Sequence, residues 1–118
     1  MTRERLDLGR GGEDLAARHL SGLGYRLLGR SVRSRLGELD LVMKDGPTIV
    51  FIEVKTRSSG RFGEPEEAVD PRKQARIARA AQVYLKLKGW TDVPMRFDVV
   101  AISGGRVRHI PDAFSSPF

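Results

Sequence analysis

The chain has 118 residues, enough for one domain of ordinary size and too few for two separate cores. Hydrophobic residues make up 40% and charged residues 31%, the balance of a globular chain rather than a disordered one. Twenty-one Lys and Arg against fifteen Asp and Glu leave a net charge of +6 and an isoelectric point near 10.3, which points to an anionic partner, while the absence of Cys excludes disulfides, thiolate metal sites and thiol nucleophiles.

Nucleic acid comes before membrane as that partner. No stretch joins amphipathic spacing to the aromatic anchors of an interfacial helix, and no apolar run approaches the roughly 20 residues of a membrane span. Residues 1–8 are polar and without period, with no apolar signal region, so the expected location is cytoplasmic. Gly9, Arg10, Gly11 and Gly12 read as a flexible lead-in. From Glu13 to about Leu23, Leu15, Ala16, His19, Leu20 and Leu23 recur at helical spacing, and Gly22 and Gly24 mark the end. Glu13 has two readings: a first-turn carboxylate suited to the helix dipole, or a ligand leaning toward the sheet on the face of Ala16 and Leu20. His19 reads as a core-edge residue, since no second His stands at ligand spacing.

Tyr25 to about Ser34 reads as a first strand with a bulge at Gly29. Its arginines, with Arg35 beyond, are either a solvated edge or cations presented to a substrate. Next come two apolar runs, Gly37–Met43 and Ile49–Lys55, joined by the turn residues of Lys44–Thr48. A turn over Asp45–Thr48 sets Lys44 opposite Ile49, Asp40 opposite Glu53 and Glu38 opposite Lys55. Residues two apart share a face, so all four charged side chains point the same way. Carboxylates so opposed have Cβ atoms roughly 4.5–5.5 Å apart and repel. Either they are solvated on an exposed face, or a hard cation with oxygen ligands compensates them. The second reading gains from the position of Glu53, Val54 and Lys55 within the most apolar strand of the chain, where charges are ordinarily depleted.

Thr56–Glu64 reads as a loop at the end of that strand, placed to grip a substrate. Asp70 as N-cap and Pro71 in the first turn open a second helix that runs to about Lys88 and closes at Gly89. Its stripe is Ile77, Ala81, Tyr84 and Leu85, with small residues Ala75, Ala78 and Ala80 allowing a close approach to the sheet. Gln74, one turn before Ile77, is on the stripe side. Met95–Ile102 reads as a long strand, and Gly104 and Gly105 turn it into a short partner over Arg106–Ile110. Asp98 reads as structural, and the tail Pro111–Phe118 as loosely docked. The expected fold class is α/β with a mixed central sheet, the third and fourth strands running parallel through a right-handed helical crossover.

Glu13 on a first helix, Asp40 on a second strand, Glu53-Val54-Lys55 on a third and Gln74 on a second helix resemble the PD-(D/E)XK nuclease superfamily, with Leu39 where the superfamily name has proline. Within it, Gly37–Val42 and Phe51–Arg57 are similar to archaeal-type Holliday-junction resolvases. Gly12-Glu13 with Ala16-Ala17, Glu38-Leu39-Asp40, Val54-Lys55-Thr56-Arg57 and Arg96–Val100 are similar to the small bacterial YraN-like family. The resemblance covers about residues 9–102 and implies a restriction-endonuclease-like core. It implies divalent-metal-dependent hydrolysis of nucleic-acid phosphodiesters, DNA before RNA, with branched DNA and homodimerisation entering by the likeness to resolvases. Asp40, Glu53 and the Val54 carbonyl would hold Mg²⁺ or Mn²⁺. Lys55 would stabilise charge on the phosphoryl oxygens, Glu13 would hold a second metal or a water, and Gln74 would position the nucleophile. Arg30, Arg33, Arg35, Arg57, Arg72 and Lys73 are the expected nucleic-acid contacts. The alternative is a non-catalytic DNA- or RNA-binding module on the same fold.

Overall fold

A computed structural model describes residues 3–57 and 69–118, with side chains over 11–56 and 69–118. In chain order the elements are α1 (Arg3–Gly22), β1 (Arg26–Ser34), β2 (Gly37–Asp45), β3 (Thr48–Arg57), α2 (Pro71–Lys88), β4 (Met95–Ser103) and β5 (Arg106–Phe114). The strands form a single sheet in the order β1-β2-β3-β4-β5. Neighbours are antiparallel except β3 and β4, which pair parallel across the α2 crossover.

Two helices cover the sheet, one on each face. Phe51, Phe97 and Val99 pack with Ile77, Ala78, Ala81 and Tyr84 of α2. Val50, Ile52, Val100 and Ile102, the alternate residues of the same strands, pack with Ala16 and Leu20 of α1. Burial on both faces is why β3 and β4 read as nearly continuous apolar runs rather than alternating ones. Among the described residues no helix is long and apolar enough to cross a membrane.

Local chemistry sets several boundaries where the sequence put them. Asp70 caps α2, its carboxylate accepting from the Lys73 N–H at 2.8 Å, Pro71 follows at a position that needs no donor, and Gly89 closes the helix in the left-handed conformation. Lys44 pairs with Ile49 as counted, and Asp45 with Thr48 around Gly46-Pro47. On β1 the register shifts between Leu27 and Gly29, beside the expected bulge.

Three expectations need correction. The helix does not start at Glu13 after a glycine lead-in; α1 already runs from Arg3 through Gly9 and Gly12. A Cβ on Gly12 would stand 2.2 Å from Thr56 Oγ1, so this glycine serves the close crossing of α1 over β3 rather than chain flexibility. His19 is exposed rather than at the core edge, and of the α1 stripe Ala16 and Leu20 are buried while Leu23 is 57% exposed. The last strand is not short, and the tail is not loose from Pro111 onward. β5 continues to Phe114, whose ring stacks on Phe97 at 4.9 Å.

The extension of β5 rests on a local distortion. Pro111 lacks an N–H, which an edge strand tolerates, and Asp112 takes φ 52° so that its own N–H reaches the buried Asp98 carboxylate at 2.9 Å. Asp98 also accepts from Arg96 Nε at 3.0 Å and lies 2.7 Å from His109 Nε2. Burial alone would raise its pKa, but these hydrogen bonds outweigh it and hold the carboxyl below its usual range. Asp98 thereby fastens β5 to β4. Ser31, at φ 48°, is the other non-glycine residue with positive φ among those described, and it lies in the opposite edge strand, β1.

The expected gripping loop over 56–64 is only partly within the described residues. Its first two positions, Thr56 and Arg57, belong to β3, and the remainder lies outside them.

Candidate active site

β2 is irregular at Asp40. Leu39 packs on the α2 side and Leu41 on the α1 side, so the strict alternation of a strand fails between them. The β1–β2 ladder skips Asp40, passing from Arg30–Leu41 to Val32–Leu39 in unchanged register, and β2–β3 pairing ends at Leu41–Ile52. Asp40 and Glu53 are therefore not a ladder pair, as counting outward from the turn implied. The Val54 N–H donates instead to Asp40 Oδ2 at 2.9 Å, so the aspartate side chain replaces a strand partner at the point where β2 and β3 part.

The parting strands and the first turns of α2 enclose an open cleft of about 360 Å³. Gly37, Glu38, Asp40 and Glu53 line it from the sheet, and Lys73, Arg76 and Ile77 from the helix. Glu53 is 7% exposed, and its Oε1 lies 2.8 Å from Lys73 Nζ and 3.7 Å from Lys55 Nζ. Burial first, and then the neighbouring Glu53 carboxylate, push the Asp40 pKa up to about 7 against the opposing pull of the Val54 N–H. Burial alone would depress the Lys73 ammonium, but its hydrogen bond to Glu53 and the nearby carboxylates raise it instead.

Asp40, Glu53 and Lys55 are thus brought together, with Glu38 at the rim of the same cleft. Glu13 stands on α1, its Oε2 within 3.5 Å of the Ser31 hydroxyl and 3.7 Å of Arg30, and its charge contributes to the raised pKa of Asp40. Gln74 is turned elsewhere. Its amide nitrogen donates to the Val69 carbonyl at 2.9 Å, fastening the end of the crossover to α2. Among the expected nucleic-acid contacts, Arg30 bonds to Asp14 at 2.6 Å and Arg33 lies 3.6 Å from Glu38. Arg35 and Arg72 are exposed, and the Arg57 side chain lies outside those described.

Two cleft residues were not singled out by the sequence for what they do here. Arg76 lines the cleft, and Lys73 is the closest partner of Glu53. Lys73 stands four positions before Ile77, so extending the Ile77–Ala81–Tyr84 stripe by one turn would have placed it over the sheet.

The donors suit a hard divalent ion. Asp40 and Glu53 offer carboxylate oxygens, Val54 can add a carbonyl, and an ammonium already stands against Glu53 as a cation. Among the described residues no three His, Cys, Asp or Glu side chains gather closely enough to ligate one ion. A two-carboxylate site completed by water is the kind Mg²⁺ accepts.

The model of the uncharacterised protein family UPF0102 matches residues 12–102, a span that holds every one of these groups. The chain is a member of UPF0102. UPF0102 protein GSU0650 of Geobacter sulfurreducens is 49% identical over 112 residues, covering 91% of this chain and 88% of the relative. UPF0102 proteins STH1475 of Symbiobacterium thermophilum and Francci3_3586 of Frankia casuarinae are 47% and 50% identical, each covering 91% of this chain and 95% of the relative. The UPF0102 match ends at the last residues of β4, so β5 lies beyond it.

Proposed function

We propose that this UPF0102 chain is a divalent-metal-dependent nuclease of the PD-(D/E)XK type on a restriction-endonuclease-like core. The observation that carries the reading is the pair Asp40 and Glu53, held in one cleft where β2 and β3 separate, with Lys55 3.7 Å from Glu53 on the same strand. Bound there by Asp40, Glu53 and the Val54 carbonyl, Mg²⁺ or Mn²⁺ would polarise the phosphodiester and acidify a water. Lys55 adds a fixed positive charge facing the phosphoryl oxygens, where negative charge develops as the bond breaks. The Val54 N–H locks the Asp40 carboxylate, so a ligand oxygen is oriented by β3 itself. Gln74 keeps its amide nitrogen on the Val69 carbonyl, and Glu13 adds its charge to the surroundings of Asp40.

The test is a panel of labelled linear, flapped, four-way and RNA substrates with Mg²⁺, Mn²⁺ or chelator. Wild type should cleave at least one nucleic acid only with divalent ion, while Asp40→Ala and Glu53→Ala lose cleavage by at least about a hundredfold and keep binding. Full activity in either purified variant removes the proposal. A binding module without catalysis is the second reading, favoured by the two ammonium groups on Glu53 and by the absence of a third gathered acid among the described residues. It predicts binding across the panel and no cleavage under any ion.

A further inference from the structure

The first turn of a helix favours negative charge, because its free N–H groups carry the positive end of the dipole. The first turn of α2 contains no acid and instead holds Arg72 and Lys73. The backbone of Lys73 is fixed there by the N-cap, its N–H donating to Asp70 Oδ1 at 2.8 Å. Its side chain nevertheless crosses to the sheet and places Nζ 2.8 Å from Glu53 Oε1, closer than Lys55, whose Nζ stands 3.7 Å from the same oxygen. A compact ammonium on a flexible four-carbon stem is a point charge that can leave without moving the helix.

We infer that Lys73 is the resident counter-ion of the acidic cleft, and that a divalent cation binds Glu53 only by displacing it. The inference rests on the metal reading of Asp40 and Glu53 given above. An ion that ligates Glu53 Oε1 must take the oxygen that now accepts from the Lys73 ammonium 2.8 Å away, and a dication at that distance repels the ammonium. Occupancy by Lys73 and by the ion are therefore mutually exclusive, and the cost of expelling the ammonium is subtracted from metal affinity. The same exchange changes the charge of the cleft. Once displaced, Lys73 joins Arg76 in facing the open space, so the walls become more positive as the ion enters, which suits a polyanionic substrate.

The experiment measures binding of Mn²⁺ alone, without nucleic acid, by electron paramagnetic resonance of the free ion. Wild type is compared with Lys73→Met, Lys73→Gln and Asp40→Asn, and glutamine keeps an N–H donor toward Glu53. Both Lys73 variants should bind Mn²⁺ at least about fivefold more tightly than wild type, and Asp40→Asn should bind least. Melting in chelator should fall in Lys73→Met, and saturating Mn²⁺ should shrink or invert the difference. In wild type, adding Mg²⁺ should move the Lys73 side-chain nitrogen resonance in step with ion binding. Lys73 variants that bind Mn²⁺ no better than wild type, while Asp40→Asn loses it, overturn the inference and leave the metal reading standing. Wild type and Lys73 variants that bind no better than Asp40→Asn overturn both.

Discussion

In the folded chain Asp40 titrates near pH 7, well above the ordinary range of an aspartate, because it is buried beside Glu53. The folded state therefore holds a proton that the unfolded state releases near pH 4. Where the folded state binds more protons, stability falls as pH rises, so Asp40 costs stability progressively from about pH 4 to about pH 7 and fully above that window. Asp40→Asn removes the charge and keeps an oxygen for the Val54 N–H. In chelator the variant should be more stable than wild type by up to about 4 kcal/mol at pH 8, with the gain vanishing near pH 4. Millimolar Mg²⁺ should reverse the order, since wild type keeps both ligands. Thermal melts across pH decide it, and a variant that melts lower in chelator at pH 8 removes the electrostatic account. At this scale the sequence disclosed Asp40, Glu53 and Lys55, because charges inside apolar strands are conspicuous. It named Lys73 only as a nucleic-acid contact and did not show its ion pair with Glu53 or the bond of Gln74 to the Val69 carbonyl, since polar residues on one helical turn look alike until the helix is seated on the sheet.

Elements were legible where local chemistry decides and obscure where a distant contact does. The ends of α2 are written in Asp70-Pro71 and Gly89, and the β2–β3 register in its turn. Gly9–Gly12 and Pro111 look like breaks, yet α1 runs through the first with Gly12 close against Thr56, and β5 runs through the second with the Asp112 N–H held by Asp98. This gives a test by double mutation. Glycine inside a helix costs roughly 1 kcal/mol relative to alanine, so Gly12→Ala would stabilise an unobstructed α1. In wild type the new Cβ meets Thr56 Oγ1, which cancels or outweighs that gain. In a Thr56→Ala background the same change should stabilise by up to about 1 kcal/mol in denaturant melts. Equal effects in the two backgrounds would show that α1 does not cross β3 at Gly12.

For the whole molecule the excess of positive charge matters more than any one arginine. The net excess falls on β1, α2 and β5, and several of the chain's arginines are already engaged: Arg30 with Asp14 and Glu13, Arg33 with Glu38, and Arg96 of β4 with Asp98 and Asp45. Nucleic-acid binding should therefore be steeply salt-dependent and tolerant of sequence. Measured in Ca²⁺ or chelator, the logarithm of affinity should fall linearly with the logarithm of salt concentration, with similar slopes for unrelated sequences. A flat response would point to a partner that is not polyanionic.

The non-glycine residues of positive φ among those described, Ser31 and Asp112, stand one in each margin of the sheet, with Arg30 and Arg33 beside the first and Arg106 and Arg108 preceding the second on its strand. A strand arriving from another molecule needs an unbroken row of backbone donors and acceptors, and here both rows are interrupted and flanked by like charges. The kinks that complete β5 and accompany the break opposite Asp40 thereby also guard against runaway edge-to-edge association. In a basic chain with an extensively apolar sheet, that protection keeps the margins from acting as templates for aggregation.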